Sequence, residues 1–154
     1  MRLVVAVVGK ARHPALGDAI RDYEERAARY WPLDVHEVRE ERASGVPVEK
    51  VMQREGERLA ERIPDRAQRV ACEVGGKSFT SEQFADFLRT ARDQDRDVAF
   101  LIGGAYGLSA TVRSASTMKL SLAPWTLPHE IARLVLAEQI YRAGTIVRGE
   151  PYHK

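Results

Sequence analysis

The stretch VAFLIGGAYGLS, residues 98–109, joins an unbroken apolar run to a cluster of glycines. Val98 to Ile102 offers no polar residue to either alternating face, the pattern of a strand covered on both sides as in the middle of a parallel sheet. Gly103, Gly104 and Gly107 end that strand abruptly and let main chain approach a ligand without Cβ interference. Near the N-terminus Leu3-Val4-Val5-Ala6-Val7-Val8, closed by Gly9, repeats the pattern. Two such runs within a chain of alternating periodicities predict an α/β fold.

Working outward, Leu16, Ile20, Tyr23, Ala27 and Tyr30 recur at helical spacing up to Pro32, and residues 33–38 alternate as a half-buried strand. Residues 48–63 read as a charged helix weakened by Gly56, with REERASGVP (39–47) before it as a mobile loop. A strand is expected over 69–74, a helix with a Ser/Thr cap over 81–92, a short helix over 108–115 and a strand over 118–122. Pro128 sits in the first turn of a last helix reaching Ala143. With no linker, repeat or low-complexity segment, residues 1–154 form one domain. Parallel sheets bind ligands beyond the carboxyl ends of their strands, so the candidate loops are 9–14, 75–80, 103–109 and 123–128.

A chain of 154 residues buries a sizeable core without metals or disulfides. The single Cys72 has no internal partner and no apolar segment approaches the ~20 residues of a membrane span, so an intracellular soluble protein is expected. Lys+Arg 24 against Asp+Glu 22 leaves a net charge of +2, too little to signal nucleic-acid binding by itself. His13 and His36 read as surface residues and His129 as structural or capping; no ligand-spaced His, Cys or carboxylate set predicts a metal site.

VGGKS (74–78) fails as a phosphate loop, because the required spacing puts a glycine where Ala71 stands. LSLAPWTLPHE (120–130) suits a flat, uncharged ring held by backbone groups and apolar contact, or else a buried connection whose Thr126 caps the last helix. Tyr106 is either the surface residue of a tight turn or a ligand contact. Arg54, Arg58 and Arg62, interleaved with Glu55, Glu57 and Glu61, read as a solvated face. The last helix is apolar around most of its circumference, which predicts burial on several sides and a subunit interface. RGEPYHK (148–154) is either a solvated tail or one tied down for function.

FLIGGAYGLS, LSLAPWTLPHEIARLVLAEQIYRA and RGEPYHK, in this order and spacing, closely resemble the small single-domain SPOUT-class methyltransferases that modify N3 of a pseudouridine in large-subunit ribosomal RNA. The resemblance spans the chain, strong over 97–154 and weak over 40–65. It implies a parallel α/β sandwich whose C-terminal part, about 97–154, is threaded into a trefoil knot, and a cytoplasmic homodimer acting on 23S rRNA within the assembled ribosome, with neither membrane nor metal. The implied cofactor is S-adenosylmethionine, held at Cys72, Gly103, Gly104, Leu122, Ala123, Pro124, Trp125, Thr126 and Leu127. Cys72 stands where relatives commonly carry leucine, so it reads as an apolar contact. Where many relatives have Gly-Gly-Pro-Glu-Gly, this chain has Ala105 and Tyr106; that glutamate's role does not carry over, and Tyr106 is available to stack on a ligand.

This implied reaction gives the tail its expected roles. Tyr152 packs against base or cofactor, His153 assists removal of the N3 proton, and Arg142 with Arg148 and Lys154 offsets the anion or holds rRNA phosphates, within one chain or across the dimer. Two other classes share parts of this pattern. A nucleotide-binding regulatory module needs the sheet but not the tail, and an RNA-binding assembly factor needs the cations but no cofactor pocket.

Overall fold

In the computed structural model β1 (Leu3–Val8) is buried at every position, because it lies between two helical layers. Leu3, Val5 and Val7 enter one apolar cluster and Val4, Ala6 and Val8 the other, so a strand without polar alternation is what this site in the fold requires. The structure describes residues 1–153, His153 through its backbone alone.

Five parallel strands form one sheet in the order β2-β1-β4-β3-β5, with β2 Leu33–Val38, β3 Gln68–Ser78, β4 Val98–Ile102 and β5 Met118–Ser121. Helices α1 (Pro14–Ala27), α3 (Ser81–Asp93) and α5 (His129–Val147) cover one face; α2 (Val48–Ala60) and α4 (Ala110–Ala115) cover the other. Connections moving toward β2 cross the first face and those moving toward β5 cross the second, so all four share one hand, as strand twist demands.

The α/β expectation therefore holds, with three local differences. β3 does not stop at residue 74: Cys72 and Lys77 both pair with Leu120, residues between them bulge, and the strand resumes to Ser78. Gly76 makes this possible, since a Cβ there would lie 2.6 Å from Leu120 main chain. The loop expected over 75–80 is thus mostly bulged strand, followed by the Thr80 capping box with Gln83 that opens α3.

Residues 39–47 are tied to α2 at their start. Glu41 binds Arg58 and Arg54, and its N–H donates to Glu55 at 3.0 Å, so two of the three arginines in the row expected to be solvated are engaged in holding this connection. α5, in turn, passes Ala143 and continues to Val147. Gly144 is a packing residue: a Cβ there would come 2.4 Å from Cγ of Tyr30. Beside it the indole N–H of buried Trp31 donates to the carbonyl of Ile140 at 3.0 Å.

Gly149, at φ +70°, closes α5. Its N–H bonds Ile146 and that of Glu150 bonds Thr145, a left-handed C-terminal turn that sends the chain back along the helix into a short 3-10 turn at Pro151–His153. The described part of the tail, through Tyr152, is tied down.

Because the Tyr30 atoms over Gly144 belong to the inner part of that side chain, they have little room to move. Gly144→Ala is expected to lower unfolding free energy by about 1–3 kcal/mol despite alanine's better helix propensity, read as a lower urea midpoint with unchanged slope.

Candidate active site

A cavity of about 690 Å³ opens at the carboxyl ends of β3, β4 and β5. That is within the usual size of small-ligand sites, and it lies where parallel sheets hold them. Its walls are Cys72, Glu73 and Val74 of β3, the β4–α4 loop, and the β5–α5 connection running into His129 and Ala132. Each wall is shaped by local chemistry. Gly107 at φ +83° turns the first loop back, its N–H donates to the Gly104 carbonyl at 3.0 Å, and the two residues form an antiparallel bridge. A Cβ on Gly103 would sit 2.5 Å from the Gly107 carbonyl carbon, so this turn accepts no side chain there. The Ser121 hydroxyl donates to the Ala123 carbonyl at 2.7 Å and bends the connection away from β5.

The lining is mainly apolar. Glu73 is bridged to Arg113 at 2.6 Å, which cancels its charge. Burial pushes the Cys72 thiol up to about 12, so it is a neutral, apolar contact at physiological pH. Nε2 of His129 is buried without a hydrogen-bond partner among the described residues. Pro128 is the N-cap of α5 and no side chain caps it, so neither Thr126 nor His129 has the capping role considered from sequence.

Two groups behind the walls were not legible as site residues. Glu55 is buried, its Oε2 lacks a partner, and a Cβ on Gly104 would lie 2.9 Å from that oxygen. Burial, outweighing the Glu41 N–H bond, raises its carboxyl above the usual range. Arg133, buried, donates to Glu24 at 2.7 and 3.1 Å and reaches Glu37 at 3.3 Å, so it clamps the start of α5 to α1 and β2. The Arg12 N–H bonds Glu130 at the same end.

Of the expected cofactor residues, Cys72, Gly103, Gly104, Leu122, Ala123, Trp125, Thr126 and Leu127 line this one cavity; Pro124 is in the same connection but outside the lining. The tail is elsewhere. Tyr152 packs on Tyr141 with ring centres 4.6 Å apart, under the Arg142 guanidinium at 4.9 Å. Its hydroxyl donates to Glu138 at 3.2 Å and lies 3.4 Å from that of Tyr23. Burial, the Tyr23 bond and the Glu138 charge all raise this phenol, so it stays protonated. Arg142 is bound to Glu138 at 2.5 Å. Arg148 is exposed, stacked on Tyr30 at 4.5 Å and donating to the Arg29 carbonyl. Arg142 is 13 residues beyond His129 on α5, roughly 20 Å along the axis, and none of these three residues lines the cavity of its own chain. The His153 side chain and Lys154 lie outside the described residues. Among the described residues no group of three His, Cys, Asp or Glu has a metal-holding arrangement, and no helix is long and apolar enough to cross a membrane.

A family model described as "Predicted SPOUT methyltransferase" matches residues 1–153. A Gemmatimonas aurantiaca protein named ribosomal RNA large subunit methyltransferase H is 58% identical over 154 residues, covering 100% of both chains. A protein of the same name from Geobacter sp. is 42% identical and covers 99% of each. Among solved structures, a probable methyltransferase from Bordetella pertussis aligns with a TM-score of 0.56 at 15% identity, over 92% of this chain and 95% of that one, a likeness of fold.

The neutral state of Cys72 is open to direct measurement. With its thiol raised to about 12, alkylation by iodoacetamide at pH 8 is expected on the order of a thousand-fold slower than for a free cysteine, because the thiolate is the nucleophile. Unfolding in urea restores the ordinary rate.

Proposed function

The chain belongs to the SPOUT methyltransferase family, full length beside relatives named ribosomal RNA large subunit methyltransferase H, and from that premise we propose that it methylates N3 of a pseudouridine in 23S rRNA. It is an rRNA methyltransferase; the proposal concerns donor, atom and arrangement. The observation that carries it is the glycine-built, largely apolar cavity at the strand ends.

S-adenosylmethionine fits these residues. The cavity has the volume for it, Gly103 and Gly104 offer main chain at close range, and the lining residue His129 has a ring nitrogen without a hydrogen-bond partner among the described residues. Backbone groups over 122–127 and the apolar side chains of Cys72, Leu122 and Leu127 would hold a flat ring. When bound, the cofactor supplies a methyl already made electrophilic by its sulfonium, so the reading calls for no metal. What remains for the protein is to align the acceptor and manage the N3 proton. Cations favour the N3 anion and a neutral imidazole accepts its proton.

His153, Tyr152 and Arg142 are the proposed sources of that chemistry, with Arg148 and Lys154 on rRNA phosphates. Since Tyr152 and Arg142 sit far from their own chain's cavity, the reading assigns the tail to the cavity of a second copy in a homodimer. Support comes from α5: Ile131, Leu134 and Val135 are half-buried side chains on its surface, a face with apolar area to spare. A trefoil knot over about 97–154 belongs to the same proposal. α5 leaves edge strand β5 yet packs between α1 and α3, a return that suits such threading. The net charge of +2 gives little grip on free RNA, which favours the assembled ribosome in the cytoplasm as substrate.

Calorimetry with S-adenosylmethionine or its demethylated product is expected to give saturable binding that is lost in Gly103→Ala, where the added Cβ would lie 2.5 Å from the Gly107 carbonyl carbon and displaces the turn. No binding at millimolar ligand refutes the donor assignment.

Methyl transfer from labelled cofactor to ribosomes lacking the modification tests the tail. Gly103→Ala and a chain lacking 152–154 should each be inactive, while their mixture regains about a quarter of wild-type turnover if subunits pair at random. A mixture that regains nothing places the tail in its own chain's site, and full activity of the truncated chain removes the tail from the mechanism.

A further inference from the structure

Four large apolar side chains are exposed among the described residues, Val48, Val74, Tyr106 and Trp125, and the last three rim the same cavity. Scattered exposed apolar residues are ordinary, but a cluster around a ligand site marks contact with something else. These three come from separate segments: Val74 from the β3 bulge, Tyr106 from the β4–α4 loop, Trp125 from the β5–α5 connection. Trp125 is a wall residue of the cavity and yet 78% exposed, so most of its surface is open to solvent. The other tryptophan, Trp31, is 1% exposed.

Any methyl acceptor must cross this rim to reach a donor in the cavity. The rim offers that acceptor little charge, because Glu73 is neutralised by Arg113. A rim whose charge is one internal ion pair gives phosphates less to hold than it gives a nucleobase face: stacking on an aromatic ring needs no charge and suits an unpaired base drawn out of its helix. On the reading of the cavity as the methyl-donor site, we propose that Trp125, with Tyr106 on the same rim, is the stacking platform for an unpaired base of the RNA substrate and registers that RNA over the cavity.

Trp125→Ala, Trp125→Phe and, as a control away from the rim, Val48→Ala are compared in methyl transfer to unmodified ribosomes, with S-adenosylmethionine binding followed by calorimetry. Trp125→Ala is expected to raise KM for ribosomes roughly ten-fold, the size of one lost base–aromatic stack, with kcat and cofactor affinity unchanged. Trp125→Phe and Val48→Ala stay at the wild-type KM. An unchanged KM in Trp125→Ala overturns the proposal while leaving the donor site standing. So does a parallel fall in cofactor affinity, which makes the ring a cofactor contact, or a shift to monomer in sedimentation, which makes it a cover for a second copy. Failure of the wild-type chain to bind S-adenosylmethionine counts against the donor site instead and removes the premise.

Discussion

The buried guanidinium of Arg133 is the constraint on which the arrangement of the C-terminal half rests. It is held by Glu24 from α1 and Glu37 from the end of β2. Burial alone would lower its charge affinity, but the two carboxylates prevail and hold it above the ordinary arginine value. A buried pair adds little net stability over an apolar replacement, yet removing one partner costs about 3–5 kcal/mol because the other charge stays stranded. That asymmetry makes it a device for register. α5 can enter the helical layer at one depth only, and this depth brings His129 and Ala132 to the cavity while carrying the tail back over α1.

Given that register, the site is built from absences of side chains. Gly103 permits a turn folded onto its own main chain at the cavity wall, and Gly76 lets bulged β3 lie against β5. The packing glycines act differently. Gly144 brings α5 under Tyr30, and Gly56 brings α2 within reach of Ser109 and Val112, so the same residue type serves both a ligand cavity and the closeness of helices.

Charge follows a corresponding economy. Many of the cations are engaged inside the chain: Arg58 with Glu41, Arg113 with Glu73, Arg133 with Glu24, Arg142 with Glu138. This explains how a protein of rRNA-methyltransferase family can carry so small a net charge, and why aromatic and apolar groups, rather than a basic patch, surround its cavity.

Residues 3–8 and 98–102 determined the parallel sheet by themselves, because a strand covered on both faces has no polar positions to spare, and the glycine and apolar runs after β4 and β5 marked the loops that line the cavity. Their order together with the tail carried the family resemblance. What periodicity did not reveal were features set by distant partners. Gly144 resembles a helix end until Tyr30 is seen to pack on it, residues 75–78 resemble a loop until Leu120 pairs with them, and Glu55 resembles a solvated charge until Gly104 covers it. That Trp125 lines the cavity yet stays exposed, and that Tyr152 packs on Tyr141 instead of in its own cavity, was decided by tertiary structure alone. Local spacing encodes which face of an element is apolar, whereas the neighbour that meets that face is decided only when segments a hundred residues apart are packed together.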